Sequence, residues 1–310
     1  MKILTLGSIN IDFNYSVAHI TTPKETQDST GLKMFPGGKG LNHALTLARA
    51  GMDVQLAGMI GEDGVQMLHM IEEAGVDTSL VRTLEGEQTG HAIIQVDEVG
   101  QNAILLYGGA NRKIDEAYVD EVLENYGEGD ILVSQNEISC LEYIIDRAYE
   151  KGMYIVLNPS PCTQELLRQD LTKVSMFFLN EVEGRAMTSY VQPGDILIHL
   201  EELYPDSEFV LTLGSQGAFY KKGASQCYHP ALSVPVVDTT AAGDVFEGYF
   251  LKAHLQGKSP AEALKYATYA AGLAISHPGA AYISAPTADK VDAFMQHPKH
   301  TTDAQGRKNA

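Results

Sequence analysis

Cysteine is scarce in this 310-residue chain: Cys140, Cys162 and Cys227 lie far apart and show no CxxC spacing. An odd, scattered set gives no sign of a disulfide scaffold or a zinc site, and it fits a reducing, cytoplasmic setting. Basic residues are also few, with 22 Lys and Arg against 40 Asp and Glu, for a formal net charge of -18. Such a surface repels nucleic acid and anionic membrane, so neither is an expected partner, and an anionic ligand must be attracted locally. Apolar runs are short, none reaching the length of a membrane span. The opening MKILTLGSINID passes from a short apolar run straight into polar residues, as a first strand does and a signal peptide does not. The ten histidines include no HExxH spacing, Ser215 lies in no GxSxG elbow, and there is no fixed-period repeat.

What is present is the composition of an ordinary globular protein, 44% hydrophobic and 20% charged. Strand-length apolar runs (KILTLGS, VQLAGMIG, DILVSQ, YIVLNPS, MFFLN, FVLTLGS, VPVVD) alternate with segments of helical period such as LNHALTLARAG and AEALKYATYAAGLAIS. Apolar strands alternating with helices imply an α/β, doubly wound, mostly parallel sheet covered on both faces, with ligands at the carboxyl ends of its strands. Two stretches break the alternation: an irregular one from about Phe13 to Lys33, and Thr89 to Gly109, which reads as two strands around VGQN. Together they are expected to form a small strand-built lid on a single domain. The polar end, 297–310, is expected to fray.

The chemistry-bearing motifs fall at strand ends. FPGGKGLNHALTLARAG is a glycine turn entering a helix; it is no Walker A loop, because glycine follows Lys39. It reads either as a flexible turn into a core helix or as exposed amides with Lys39 and Asn42 that hold a polyhydroxy ligand or an anion. Asn10 and Asp12 are turn formers or hydrogen-bonding partners for vicinal hydroxyls. Asn180 and Glu183 have the spacing of a capping box, or Glu183 is an acid that holds hydrated magnesium beside phosphates. TLGSQG, Thr212 to Gly217, turns a strand through two glycines. In VDTTAAGDVFEGYF, small residues before a helix leave room for a ligand at its free amides, and Asp244 is a helix cap, a reagent, or both in one turn. A hydroxylated substrate, a phosphate-friendly turn, an acid near magnesium and a carboxylate at a helix mouth together fit phosphoryl transfer to an alcohol. Asp244 is then the general base, with the amides from Ala241 to Asp244 holding the transferred charge.

The ordered set GSINID, GGKGLN, IGEDG, NPSP, LNEVE, TLGSQG and DTTAAGD resembles the ribokinase branch of the PfkB carbohydrate kinases, from about Lys2 to Val291. The resemblance implies sugar contacts at Asn10, Asp12, Gly38, Lys39, Asn42 and Glu137, a base at Asp244, and an anion hole at Ala241, Ala242 and Gly243. It implies nucleotide contacts at Asn180, at Thr212, Leu213, Gly214, Ser215, Gln216 and Gly217, and at Thr268 near the adenine, with Glu183 the magnesium-associated acid. A potassium ion is implied beside the anion hole, at Asp238, Thr240, Ala274, His277, Gly279 and Ser284. The implied reaction is transfer of the γ-phosphoryl group of ATP to the 5-hydroxyl of D-ribose, with Mg2+ and K+, in a homodimer joined through the lid.

Departures from the family pattern are Leu41 and His43, where alanine and glutamine are common, Val245 and Glu247, where threonine and asparagine are common, and one extra residue in GAAYISAP. Another acceptor (deoxyribose, another furanose or a nucleoside) is the alternative, and a non-catalytic sugar- or nucleotide-binding sensor is a second. A nicotinamide-binding dehydrogenase is disfavoured, since the first strand leads into GSINID and not GxGxxG.

Overall fold

Alternate residues of the apolar strands feed two different cores. Ile131, Val133, Val156, Met176 and Val210 pack into one, and Leu132, Ile155, Leu157, Phe177 and Leu211 into the other. This is the period-two pattern of a sheet covered on both faces. The computed structural model describes residues 1–277, 281–297 and 302–303.

The chain opens with β1 (Ile3–Leu6), β2 (Asn10–Ser16), β3 (Gly31–Gly37), α1 (Lys39–Arg49), β4 (Val54–Gly61), α2 (Val65–Glu73) and β5 (Asp77–Leu84). A hairpin of β6 (Gly90–Val96) and β7 (Asn102–Tyr107) leads to α3 (Glu116–Leu123), β8 (Ile131–Gln135), α4 (Leu141–Glu150) and β9 (Tyr154–Asn158). Next come β10 (Met176–Asn180), α5 (Glu181–Thr188), α6 (Pro193–Leu203), β11 (Glu208–Thr212), β12 (Ala218–Lys222), β13 (Ser225–His229) and β14 (Leu232–Ser233). The chain ends with α7 (Ala242–Leu255), α8 (Pro260–Ile275), α9 (Ala281–Ser284), α10 (Ala288–Gln296) and β15 (Thr302–Asp303).

The main sheet has nine strands in the order β13-β12-β11-β10-β9-β8-β1-β4-β5. It is parallel from β5 to β11 and finished by antiparallel β12 and β13. The strand order reverses around β1, which sits between β8 and β4. A separate four-stranded sheet, β3-β2-β6-β7, stands beside it. Its strands reach further than the stretches singled out in the sequence, so Asn10 and Asp12 lie on β2 and not in a turn. Within the C-terminal stretch expected to fray, Ser233↔Thr302 and Leu232↔Asp303 pair as β14 and β15; 298–301 and 304–310 lie outside the described residues.

Two glycines bring α1 against β1. A Cβ on Gly40 would lie 2.5 Å from the Gly7 carbonyl carbon, and one on Gly7 would lie 2.7 Å from the Gly40 Cα. Backbone against backbone cannot yield as a flexible side chain can. Gly40→Ala is therefore expected to cost about 1–3 kcal/mol, the range for overpacking, read as a lower midpoint in chemical denaturation. An unchanged midpoint would mean that α1 and β1 separate freely.

Candidate active site

The carboxyl ends of β1, β8, β9, β10 and β11 present the polar residues, as expected for an open parallel sheet. On one side, β2 carries Asn10 opposite Gly37 of β3 and Gly90 of β6. Both partners must be small: a Cβ on Gly90 would lie 2.4 Å from Asn10 Oδ1, and one on Gly37 would lie 2.1 Å from Asp12 Oδ2. Asn111 Nδ2 donates to Asn10 Oδ1 at 2.8 Å, and Asn111 Oδ1 accepts from the Ile9 N–H at 3.0 Å. Asn10, Tyr107, Asn111, Arg112 and Glu137 line a hollow of about 80 Å³. Glu137 Oε2 accepts from Ser8 Oγ at 2.5 Å and from the Lys39 N–H at 3.2 Å.

At the centre, Asp244 is buried at the start of α7. Its Oδ2 accepts from Asn42 Nδ2 at 2.8 Å, while its Oδ1 lies 4.0 Å from Lys39 Nζ and 3.3 Å from His43 Nε2. The same His43 nitrogen lies 3.2 Å from Glu247 Oε2, and Asn158 Nδ2 donates to that oxygen at 2.9 Å. The capping role considered for Asp244 is not formed. Ala241 holds the cap position in the left-handed region, with φ 59° and no side-chain cap hydrogen bond. Asp244 is the third residue of the helix, past the cap, and its carboxylate is drawn to the cation and donors of α1.

The electrostatics separate two carboxylates. Burial alone would push Asp244 up, but Lys39, His43 and Asn42 overcome it and hold the carboxyl at about 2. Asp12 has no such partners: burial, and then the like charges of Glu137 and Asp244, push it up to about 7. Burial opposes the charge on Lys39, and the surrounding carboxylates, Asp244 first, hold it above the usual lysine value. Burial likewise opposes charge on His43, where Glu247 and Asp244 outweigh it and raise the imidazole above its ordinary value.

On the other side of the α7 start, a cavity of about 300 Å³ is lined by Thr212, Gly214, Ser215, Gly217, Thr268, Ala242 and Gly243, with apolar walls from Val236, Phe246 and Ile275. Leu213 and Gln216 do not line it; they shape the turn, the Gln216 N–H donating to the Leu213 carbonyl at 3.0 Å. A Cβ on Gly243 would meet nothing within 4 Å, so the helix start faces open space. Asn180 and Glu183 form the capping box: Asn180 Oδ1 accepts from the Val182 and Glu183 N–H groups, and Glu183 Oε2 accepts from the Asn180 N–H at 2.7 Å.

The positions considered for a monovalent cation gather in part. The Val237 and Asp238 N–H groups both donate to the Ile275 carbonyl, at 2.8 and 3.2 Å, which ties this segment to the end of α8 beside Ala274. The Thr240 N–H donates to Asp238 Oδ1 at 2.9 Å. His277 and Ser284 line a separate hollow with Pro286 and Lys290, and Gly279 lies outside the described residues. Among the described residues no group of three or more His, Cys, Asp or Glu is placed to hold a metal ion. No helix among them is long and apolar enough to cross a membrane.

Sequence reasoning missed Ser8, Asn111, Gln135 and Asn158, which hold Glu137, Asn10, His43 and Glu247. Asn158 stands in NPSP and Asn111 follows a Gly-Gly pair, both at strand exits, the one signal that marked them.

Residues 1–288 match the pfkB family carbohydrate kinase profile. A ribokinase of Haemophilus influenzae is 33% identical over 305 residues, covering 96% of this chain and 99% of its own. The crystal structure of a Cryptococcus neoformans ribokinase in complex with ADP superposes with a TM-score of 0.82 at 33% identity, over 94% of this chain and 99% of that one. The structure of an Arabidopsis thaliana ribokinase complexed with ribose and ATP gives a TM-score of 0.81 at 27% identity, over 95% and 98%. A doubly wound sheet, a buried ionised aspartate at a helix mouth and this run of matches agree: the chain belongs to the pfkB family of carbohydrate kinases.

Proposed function

We propose that the protein is an ATP-dependent kinase that phosphorylates the 5-hydroxyl of D-ribose. The observation that carries this reading is Asp244, buried and ionised at the start of α7, whose neighbours Ala242 and Gly243 line the uncharged cavity and whose partner Lys39 is bonded to Glu137 of the polar hollow. Lys39 ties the hollow to Asp244, its N–H on Glu137 and its ammonium 4.0 Å from Asp244. The ribose and ATP in the Arabidopsis structure, and the ADP in the Cryptococcus one, support this pair of substrates.

In this reading Asn10, Asp12, Gly38, Lys39, Asn42 and Glu137 hold the sugar hydroxyls. The uncharged cavity takes the nucleotide, with Thr212 to Gly217 along its edge and Thr268 near the base. As the sugar oxygen attacks the γ-phosphorus, Asp244 takes its proton and ADP leaves. The amides of Ala241, Ala242 and Gly243 receive the charge of the transferred group, and the open space at Gly243 leaves it room. Magnesium, when bound, would screen the phosphate charge. Glu183, fixed by its capping box, is the carboxylate suited to hold it through water. Potassium would be held largely by backbone carbonyls at Asp238 and Thr240, in the segment that two hydrogen bonds to the Ile275 carbonyl tie to the end of α8. The small sheet serves as a lid that excludes water. Its edge strand β7 exposes Ile104, Leu105, Leu106 and Tyr107, a surface suited to a second copy of the chain.

An acceptor panel with ATP, read by ADP release, tests the assignment: ribose is expected to give the highest kcat/KM, and equal values for deoxyribose or nucleosides would remove it. Asp244→Asn is expected to lose about a hundredfold or more in kcat with sugar binding largely kept; near-normal turnover would show that another group is the base. Activity is expected to rise with potassium over sodium, and indifference to the ion would discard the cation site. Because Asp12 titrates near 7, KM for ribose is expected to rise as pH falls below about 7, a dependence absent in Asp12→Asn. In the ligand-free protein, Asp12 keeps a proton that the unfolded chain releases near the ordinary 3.8. Its share of stability therefore falls as pH rises from there toward about 7. Melts of the two proteins across that window read the difference.

A further inference from the structure

We propose that His43 and Glu247 are positioning residues for the base: a buried imidazolium, anchored by Glu247, keeps Asp244 ionised and fixes where its carboxylate points. The inference rests on the kinase reading above. His43 is 1% exposed and Glu247 2% exposed, so both are walled off from solvent. His43 Nε2 faces two carboxylate oxygens, at 3.3 Å on Asp244 and 3.2 Å on Glu247. A lone pair there would point at two carboxylates; an N–H faces both, and since neither contact has hydrogen-bond geometry, charge is what joins them. The other ring nitrogen, Nδ1, is 2.9 Å from Gln135 Nε2, while Gln135 Oε1 has no partner; turning the amide over gives that oxygen the second ring N–H to accept.

Glu247 supplies the argument for charge. Its Oε2 accepts from Asn158, and its Oε1 is buried without a hydrogen-bond partner. Burial pushes Glu247 above the usual carboxylate range, with Asp244 adding to the rise and His43 first among the groups that oppose it, so its charge at that depth depends on a cation nearby. The charged groups that face the ring are Asp244 and Glu247 from α7 and Lys39 from α1, with neutral Gln135 on the β8 side. Lys39 leans on Asp244, so the ring is the cation left for Glu247. Asp244 and Glu247 stand one helical turn apart on α7, and the ring that joins them belongs to α1, so the base is tied to two helices at once. During turnover His43 keeps both ring protons. The proton taken by Asp244 returns to solvent as product leaves, and the adjacent positive charge favours that loss.

The test uses the full chain with saturating ribose and ATP: pH profiles of kcat for the unsubstituted protein, His43→Gln, and the double variant His43→Gln with Glu247→Gln. His43→Gln alone is expected to lose at least about tenfold in kcat with KM nearly unchanged, to move the acid limb up by about one pH unit or more, and to melt lower. The double variant has no stranded carboxylate at Glu247, so its melting temperature is expected to recover, while the low kcat and shifted limb persist. If the double variant instead regains the original kcat and profile, the pair serves only itself and the proposal fails. Should the double variant not fold, 15N shifts of the His43 ring in the unsubstituted protein decide: both nitrogens protonated at pH 7 is the expected result, and a neutral ring there overturns it. If no acceptor is phosphorylated at all, the kinase reading fails, and the ring measurement still judges whether His43 is the imidazolium.

Discussion

The crossing of α1 over α7 is the constraint on which the site depends. A Cβ on Gly248 would lie 2.5 Å from Thr46 Cγ2, so the two helices approach as closely as side chains permit. At the other contact of α1, Gly40 lies against Gly7 of the β1 exit with no room for a methyl. These glycines bring the starts of both helices to one point above the sheet. Only there can Lys39, Asn42 and His43 reach one carboxylate at the start of α7. A displacement of the helices by one methyl would lengthen contacts of 2.8 and 3.3 Å beyond use, and misplacement on that scale is enough to lose much of a catalytic geometry.

The charge distribution follows from the same convergence. A chain of net charge -18 repels a nucleotide at long range. Its acids are not spread evenly over the site, however. Asp12, Glu137, Asp244 and Glu247 crowd one side of the α7 start, around Lys39 and His43, whereas the described lining of the larger cavity contains no charged residue. A neutral polyol suits the first environment, where acceptors outnumber donors. An anion suits the second, where helix amides supply the positive end of a dipole and no carboxylate lines the wall.

Much of this was legible in the sequence. The doubly wound sheet showed in the alternation of apolar runs with helical periods, and DTTAAGD marked the helix mouth. The partnership of His43 with Glu247 was not legible, because it depends on two helices distant in sequence meeting at one angle; each residue alone read only as a departure from a family pattern. Asp244 had seemed able to cap its own helix, and position within the helix decided against that. For Asn180 and Glu183 the structural reading held, and the capping box they form still leaves Glu183 rigidly placed. Gly40 stands in a stretch that read as a flexible turn into a core helix, yet its role is contact with Gly7: close approach of backbones leaves no trace in periodicity.

Asp12 and Asp244 share a side chain and a site, and their surroundings move them in opposite directions. Asp12 meets burial with acids as its charged neighbours, and rises to about 7. Asp244 meets deeper burial with a lysine, an imidazole and an amide, and falls to about 2. The division follows the two tasks such a site has to perform. A general base has to be ionised whenever a hydroxyl proton is presented, and Asp244 is ionised at every working pH. A carboxyl that grips a hydroxyl as its acceptor competes with its own proton, so a midpoint near 7 makes that grip depend on pH where the base does not. In the proposed reading, sugar binding at Asp12 would release a proton in the pH range where the ligand-free site holds one, and leave the charge on Asp244 unchanged.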